Sequence, residues 1–388
     1  DALLSITTGS GNVAIGWGAG DSVTTGGSNV MIGKSAGKGT ADVDKCVIIG
    51  DGAGESALDS NADGSVLIGL SAGAALTSGA GNTVIGYQAG DSLTTSGGNV
   101  IIGYQAMTTA TTTTDNCVAI GYQAMNGGHT TADCDSVIAI GRLAAGAGTL
   151  TAGADGTIAI GREALEALTS GAGNVAIGHT ALTEHTEGSR NVAIGHQAGY
   201  QTAGGAASVS NDDIFIGYQA GGGDWANAES NKNVAIGSYS MDAVLNGALR
   251  NTAMGYSAGS AITTGDDNVL IGNEAGAAIT SGQYNVFIGS YAGLENEDGA
   301  NNIFIGGQAG EHDDAGADAT SPDNCIAIGF QTKFETTTPS NEIVIGHLAE
   351  GQGNNTVTLG DENVTAVYMA QDSGATVYAE NITLSSPS

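Results

Sequence analysis

Residues 191–199 read NVAIGHQAG, and close copies of this stretch recur along the chain, as in NVAIGWGAG (12–20), NTVIGYQAG (82–90), NVFIGSYAG (285–293) and NIFIGGQAG (302–310). We number each copy from the glycine of its Ile-Gly pair, called here the index glycine. Twenty index glycines run from Gly16 to Gly360, and ten of the nineteen intervals between them are 17 residues long. A recurrent spacing with occasional longer intervals indicates one structural coil that takes insertions at one place.

The conserved part of each copy has the character of a short β-strand. Position −3 is Val, Ile or Thr in all twenty copies, position −1 is Ile in eighteen, and position +3 is Ala in seventeen. A β-branched run bounded by glycine favours a strand. A unit of 17 residues buries no core alone, but stacked units do. The sequence therefore predicts an all-β parallel β-solenoid of about twenty coils, ~95 Å long at the usual strand spacing.

Three regions follow from where the copies lie. We predict an N-terminal lead-in over 1–10, a β-roll repeat shaft over 11–350, and a C-terminal neck or tip segment over 351–388.

The charge balance excludes several classes of partner. The chain of 388 residues has 9 Lys and Arg against 40 Asp and Glu, a net charge of −31. Nucleic-acid binding needs a basic face, and docking on an anionic membrane needs basic clusters. No apolar run approaches the ~18 residues that span a bilayer. We therefore expect no nucleic acid and no membrane insertion.

Alternation along the strand predicts an assembly. Because successive residues point to opposite sides, we expect positions −3 and −1 to face the solenoid interior and position −2 to face outward. Position −2 is nevertheless apolar, with Ala in nine copies and one polar residue, Thr358. A strand that is apolar on both sides is buried on both sides. The sequence thus predicts a homo-oligomer whose trimer interface is formed by Ala14, Met31, Ile48, Leu67, Val84, Ile101, Ala119, Phe215, Leu270, Phe287 and Phe304.

The pattern N-[VT]-x-I-G-x-x-A-G resembles the head repeats of trimeric autotransporter adhesins. It resembles more closely the repeat arrays of bacteriophage tail fibres of the trimeric β-roll type, since adhesin heads have a shorter period than 17. The resemblance covers about residues 11–350, and 354–388 looks like the segment that precedes the self-cleaving chaperone of such fibres. In both families three left-handed β-rolls pack around a threefold axis, so the resemblance implies a left-handed homotrimer.

The resemblance implies an extracellular fibre protein, the shaft of a virion tail fibre that presents loops to a host cell-surface glycan or protein receptor. The alternative is the head of a bacterial surface adhesin. A chaperone reading frame after Ser388 would favour the fibre, and a membrane-barrel sequence there would favour the adhesin. No G-x-S-x-G, HExxH or P-loop motif occurs, and we expect no enzymatic activity. A β-solenoid polysaccharide depolymerase and an ice-binding protein, the latter suggested by the threonines of 111–114, are further alternatives.

Position +1 is aromatic or His in ten copies. Stacked in successive coils, these side chains would form a ladder that either contacts glycans, which dock on aromatic faces, or simply stabilises the rod. Rod stabilisation is the favoured interpretation. The glycan hypothesis rests on Trp17, Tyr87, Tyr104, Tyr122, Tyr218 and Tyr256.

Position −4 is Asn in eleven copies, which predicts a buried ladder of amides bonded from coil to coil. Cys46, Cys117 and Cys325 occupy the same position, and we interpret them as small apolar substitutes. Cys134 lies in an insertion, which leaves exposure of its thiol open.

Two groups of residues suggest a metal ion without the spacing of a known site. His179 and His196 lie one coil apart at position +1. The acidic insertion EHDDAGAD (311–318) carries oxygen ligands suited to Ca²⁺. We interpret the histidines as part of the ladder and the insertion as a solvated loop, and we expect no cofactor.

Overall fold

A computed structural model describes residues 1–109, 114–127, 134–200, 210–223, 228–312 and 320–367. Across these residues the chain is a parallel β-solenoid without α-helices, which confirms the all-β parallel solenoid predicted from the sequence. Two 3₁₀ turns interrupt it, at Ser60–Ala62 and Ala152–Ala154. The strands are β1 Val13–Ile15, β2 Val30–Ile32, β3 Val47–Ile49, β4 Val66–Ile68, β5 Thr83–Ile85, β6 Val100–Ile102, β7 Val118–Ile120, β8 Ile138–Ile140, β9 Ile158–Ile160, β10 Val175–Ile177, β11 Val192–Ile194, β12 Ile214–Ile216, β13 Val234–Ile236, β14 Thr252–Met254, β15 Val269–Ile271, β16 Val286–Ile288, β17 Ile303–Ile305, β18 Glu311–His312, β19 Ile326–Ile328, β20 Lys333–Phe334, β21 Ile343–Ile345 and β22 Val357–Leu359.

Twenty of these strands form a single parallel sheet, one strand from each copy of the repeat. Pairing is in register throughout, so that Val175, Ala176 and Ile177 of β10 lie beside Val192, Ala193 and Ile194 of β11. Because every copy contributes the same residue type at the same place, each repeat position becomes a row that runs along the solenoid. The remaining strands, β18 and β20, pair with each other outside this sheet, and Lys333 of β20 also forms a parallel bridge with Glu350.

The solenoid interior is lined by position −2 together with the alanine at +3. Met31, Ile48, Leu67 and Phe215 at position −2 have no exposed surface, and neither do alanines such as Ala176. The flanking positions −3 and −1 are only partly buried or exposed. The predicted orientation of the strand is therefore wrong: the central residue points inward and its two β-branched neighbours point outward.

This orientation corrects the predicted interface, because residues enclosed by their own chain cannot contact another one. Ten of the eleven residues named for it are fully buried, and Ala14, in the first coil, packs against the core. The physical reason is that successive strand residues point to opposite sides, so an interior that encloses the central side chain, whether Ala or Phe, leaves both of its neighbours outside. The residues that the structure places inside are Ala14, Met31, Ile48, Leu67, Val84, Ile101, Ala119, Phe215, Leu270, Phe287 and Phe304.

In some coils the side-chain volumes at positions −2 and +4 balance each other. Phe287 faces Gly293, where an added Cβ would lie 2.4 Å from the ring. Coils with Ala at −2 can instead carry a large residue at +4, as in Ala176 with Leu182, which is also fully buried. Because interiors are close-packed, this exchange keeps the cross-section of those coils filled.

Candidate functional site

The outward face of the sheet is a continuous apolar surface, called here the apolar face, formed by positions −3 and −1 of all twenty strands. These positions hold only Val, Ile, Thr, Met and Leu. Their exposure reaches 59% at Ile15 in the first strand and 62% at Val357 in the last, and Ile271, Ile288 and Ile305 in the middle remain 36–38% exposed. A contiguous exposed apolar surface of this length is typical of an interaction surface and not of an isolated soluble domain.

Beside the apolar face, the side chains of position +1 stack along the solenoid. The Tyr87 and Tyr104 ring centroids lie 5.0 Å apart with planes 7° from parallel, and Tyr104 and Tyr122 lie 5.4 Å apart at 4°. Arg142, in the next coil, lies 6.0 Å from the Tyr122 ring centroid. Arg162 occupies the same row one coil further on. The predicted ladder of planar groups is therefore present over these coils.

The same row continues through the two histidines. His179 and His196 stack at 4.9 Å, and His196 stacks on Tyr218 at 5.3 Å. Further along, Tyr239 of position +2 bridges the row to Tyr256 through edge contacts. The imidazoles are thus members of a stack, and no group of three or more His, Cys, Asp or Glu among the described residues is placed to hold a metal ion.

Stacking determines which part of each ring is accessible. Tyr104 is 45% exposed, but its two faces are turned toward Tyr87 and Tyr122, so what it presents outward is its edge and hydroxyl. Sugars dock on aromatic faces. Trp17 is the most exposed member at 64%, although Lys38 lies 5.9 Å from its ring centroid. This geometry favours rod stabilisation over glycan contact.

The amide ladder at position −4 is confirmed as a buried chain of hydrogen bonds. Asn268 donates from Nδ2 to Asn251 Oδ1 at 3.0 Å and to the Gly282 carbonyl at 2.8 Å. Its own Oδ1 accepts from the backbone N–H of Asn285 at 3.0 Å and from Asn285 Nδ2 at 3.1 Å. Asn268 therefore bonds both neighbouring ladder positions and also satisfies a backbone carbonyl, whereas Nδ2 of Asn99, elsewhere in the ladder, has no hydrogen-bond partner among the described residues.

The cysteines at the ladder position are buried free thiols. The Cys46 thiol donates to the Ala62 carbonyl at 3.4 Å, and Cys117 donates to the Cys134 carbonyl at 3.3 Å. Burial raises the pKa of Cys117 to about 11, and it also raises the pKa of Cys325. Because the thiolate is the reactive form, these thiols are inert packing groups, as the sequence predicts.

Cys134, for which the sequence leaves exposure open, is a fully buried free thiol whose backbone carbonyl accepts from the Cys117 thiol. Burial, followed by the charges of neighbouring groups, raises the pKa of its thiol to about 12.

Two acidic side chains occupy the amide ladder where the repeat usually has Asn. Asp213 and Glu342 are both fully buried, and each keeps one carboxyl oxygen without a hydrogen-bond partner among the described residues. Desolvation by burial raises the pKa of Glu342 and raises the pKa of Asp213 well above its ordinary value. Sequence reasoning missed these two residues, although an acid at a ladder position was the available signal.

Several predicted features fall outside the described residues. They include most of the threonine run at 111–114, most of the acidic insertion at 311–318, and the C-terminal segment from 368 onward. Within the described part of the chain, no helix is long or apolar enough to cross a bilayer.

Comparison with known proteins finds no protein-family model and no curated protein that matches this chain.

Proposed function

We propose that this chain is the shaft of an extracellular, non-enzymatic fibre of the phage tail-fibre type, assembled as a homotrimer and presenting its insertions to a host surface. The single observation that carries the proposal is the apolar face, which runs the length of a one-chain solenoid with its Val and Ile side chains partly exposed. The sequence argument that both sides of the strand need to be buried still applies, but position −2 now faces the interior and positions −3 and −1 form the face that needs a cover.

The geometry of the face favours further copies of this chain as its cover. Its strands pair in register and repeat at the ~4.8 Å spacing of neighbouring strands, over twenty strands. A partner that packs between the side chains of successive strands along the full length must repeat with the same spacing and have the same number of strands. Another copy of the same solenoid has both, and closed symmetric assembly is the common way for such a face to be buried.

Charge does not oppose this association, despite the net −31 of each chain. Positions −3 and −1 contain no charged residue in any copy, so the face itself brings no carboxylates together. Depletion of charge at the centre of a patch is the compositional mark of protein interfaces. Three identical chains would also present three sets of insertions, which raises avidity without new contacts.

Sedimentation equilibrium of the purified chain tests the assembly directly, with a mass of three chains as the expected result. The matched variant replaces Ile271, Ile288 and Ile305 with Thr. Threonine keeps strand propensity but removes apolar contact area, so we expect a lower association constant with an unchanged β-sheet circular dichroism spectrum. A monodisperse monomer of the wild-type chain would contradict the proposal.

Attachment is tested separately by binding the oligomer to host cells and to their surface glycans. We expect adhesion without cleavage. Release of reducing ends from those glycans would instead show a depolymerase and overturn the non-enzymatic part of the proposal.

A further inference from the structure

Asp213 makes two of the hydrogen bonds that an asparagine makes at this position of the ladder. Its backbone N–H donates to Asn191 Oδ1 at 2.9 Å, and its Oδ1 accepts from the backbone N–H of Asn233 at 2.7 Å. These bonds repeat what Asn does in neighbouring coils. The chain of contacts between β11, β12 and β13 is therefore continuous through a carboxyl group with no exposed surface.

An asparagine at a ladder position also donates a hydrogen bond from Nδ2 to a backbone carbonyl. Asn191 Nδ2 donates to the Ser210 carbonyl and Asn233 Nδ2 to the Ala248 carbonyl, both at 2.9 Å. Each acceptor lies three residues before the next ladder position, and the same register assigns the Ser230 carbonyl to Asp213. Asp213 Oδ2 has no hydrogen-bond partner among the described residues. An ionised Oδ2 would face carbonyl oxygens without water, whereas a protonated Oδ2–H donates as an amide does.

We propose that Asp213 is held as the neutral acid at neutral pH, and that its ionisation at higher pH loosens the coil of β12, which makes this coil a pH-sensitive joint in the solenoid. The index glycine of the coil, Gly217, is flanked by intervals of 22 and 20 residues. The coil of β12 is thus adjacent in sequence to two long insertions, and pH would change the stability of the coil from which they extend.

No cationic side chain among the described residues pairs with the Asp213 carboxyl. Asp212 is adjacent and negative, and it binds Arg190 at 2.6 Å on the exposed side of the coil. Lys232 occupies the equivalent exposed position one coil further on. On the preceding coil the facing group is Asn191, with the fully buried His185 behind it at 2.9 Å. Burial raises the pKa of the Asp213 carboxyl well above its ordinary value and the charge of Asp212 raises it further, while the hydrogen bonds from Asn233 act in the opposite direction.

Native-state hydrogen exchange, resolved by coil and followed over roughly pH 5 to 9, tests the joint. After correction for the intrinsic base-catalysed rate, we expect protection of the Asp213 and Asn233 amides and of β12 to fall by up to about tenfold per pH unit. In Asp213→Asn the corrected protection should be independent of pH above pH ~6.5, the ordinary pKa of His. Asn268→Asp is the matched control, and it should create the same dependence around β15 while leaving β12 as in the wild type.

Infrared difference spectroscopy between the wild type and Asp213→Asn gives a second readout that does not depend on stability. We expect the carbonyl band of a protonated carboxylic acid in the wild type at pH 7 and its absence in the variant. If that band is missing, or if Asp213→Asn keeps the wild-type pH slope of exchange, the proposal is wrong. Neither result depends on the oligomeric state.

Discussion

Gly178 lies so close to the next coil that a Cβ added to it would be 2.1 Å from the carbonyl oxygen of Gly195. The same approach recurs at successive index glycines, where the strand ends and the backbone turns with a positive φ, 145° at Gly178. The absence of a side chain at this point is what permits in-register stacking with a rise of one strand spacing per coil.

We therefore expect Gly178→Ala to lower the free energy of unfolding by about 3 kcal/mol or more, because backbone strain at positive φ adds to a contact with unyielding backbone. Chemical denaturation measures the change. Gly173→Ala is the control, since Gly173 also has a positive φ of 69° but nothing within 4 Å of the added Cβ. It should cost about 1 kcal/mol, and equal losses in the two variants would contradict the close-approach argument.

The amide ladder predicts an order of stability among substitutions at one ladder position. Asn268→Ala removes the donor to the Gly282 carbonyl and the acceptor for Asn285, which leaves buried polar groups unpaired at about 1–3 kcal/mol each. Asn268→Cys should cost less, because the thiol of Cys46 makes equivalent, weaker bonds in its own coil. Thermal denaturation of both variants checks the order. A Cys variant no more stable than the Ala variant would show that volume, and not hydrogen bonding, decides this site.

The repeat itself predicts the coil, the parallel sheet and the amide ladder, because each depends on one residue type recurring at one position. The direction in which the strand faces could not be predicted in the same way. Val175, Ala176 and Ile177 are all apolar, so alternation permits either orientation. The prediction places the β-branched pair in the core, whereas the structure encloses the central residue of each strand, from Ala176 to Phe287.

Some coils do indicate the true orientation: Gly293 accompanies Phe287, and Leu182 accompanies Ala176. Such an exchange of size is expected of side chains that share one enclosed space, but it is not general, since Gly199 accompanies Ala193. Cys134 was beyond this reasoning, because the burial of a residue in an insertion depends on where the chain rejoins the coil, whereas Asp213 stands at a ladder position, where an acid is visible in the sequence.

Stacking at position +1 predicts a structural and not a ligand-binding role for Tyr104. Tyr104→Ala removes contacts with two rings and should lower stability by about 1 kcal/mol, while Tyr104→Phe keeps the stack and should be neutral. We expect glycan-array signals of both variants to equal the wild type. Loss of glycan binding in Tyr104→Ala with unchanged stability would instead support the glycan-contact hypothesis.

The burial of His185 leads us to expect a loss of stability as the pH falls below about 6.5. The imidazole is fully buried, its Nδ1 has no partner among the described residues, and desolvation lowers its pKa from 6.5 to about 4. The unfolded chain therefore binds a proton at a pH where the folded chain does not, so stability present above pH ~6.5 falls progressively as pH approaches 4. The full loss of stability is about 3 kcal/mol, and its direction with pH is opposite to that of Asp213.

Hydrogen exchange of the coil that holds His185, measured between about pH 4 and 6.5, should show this loss. His185→Gln should abolish the pH dependence of stability in this range, whereas Asp213→Asn should leave it in place. An unchanged acid slope in His185→Gln would mean that another group titrates there.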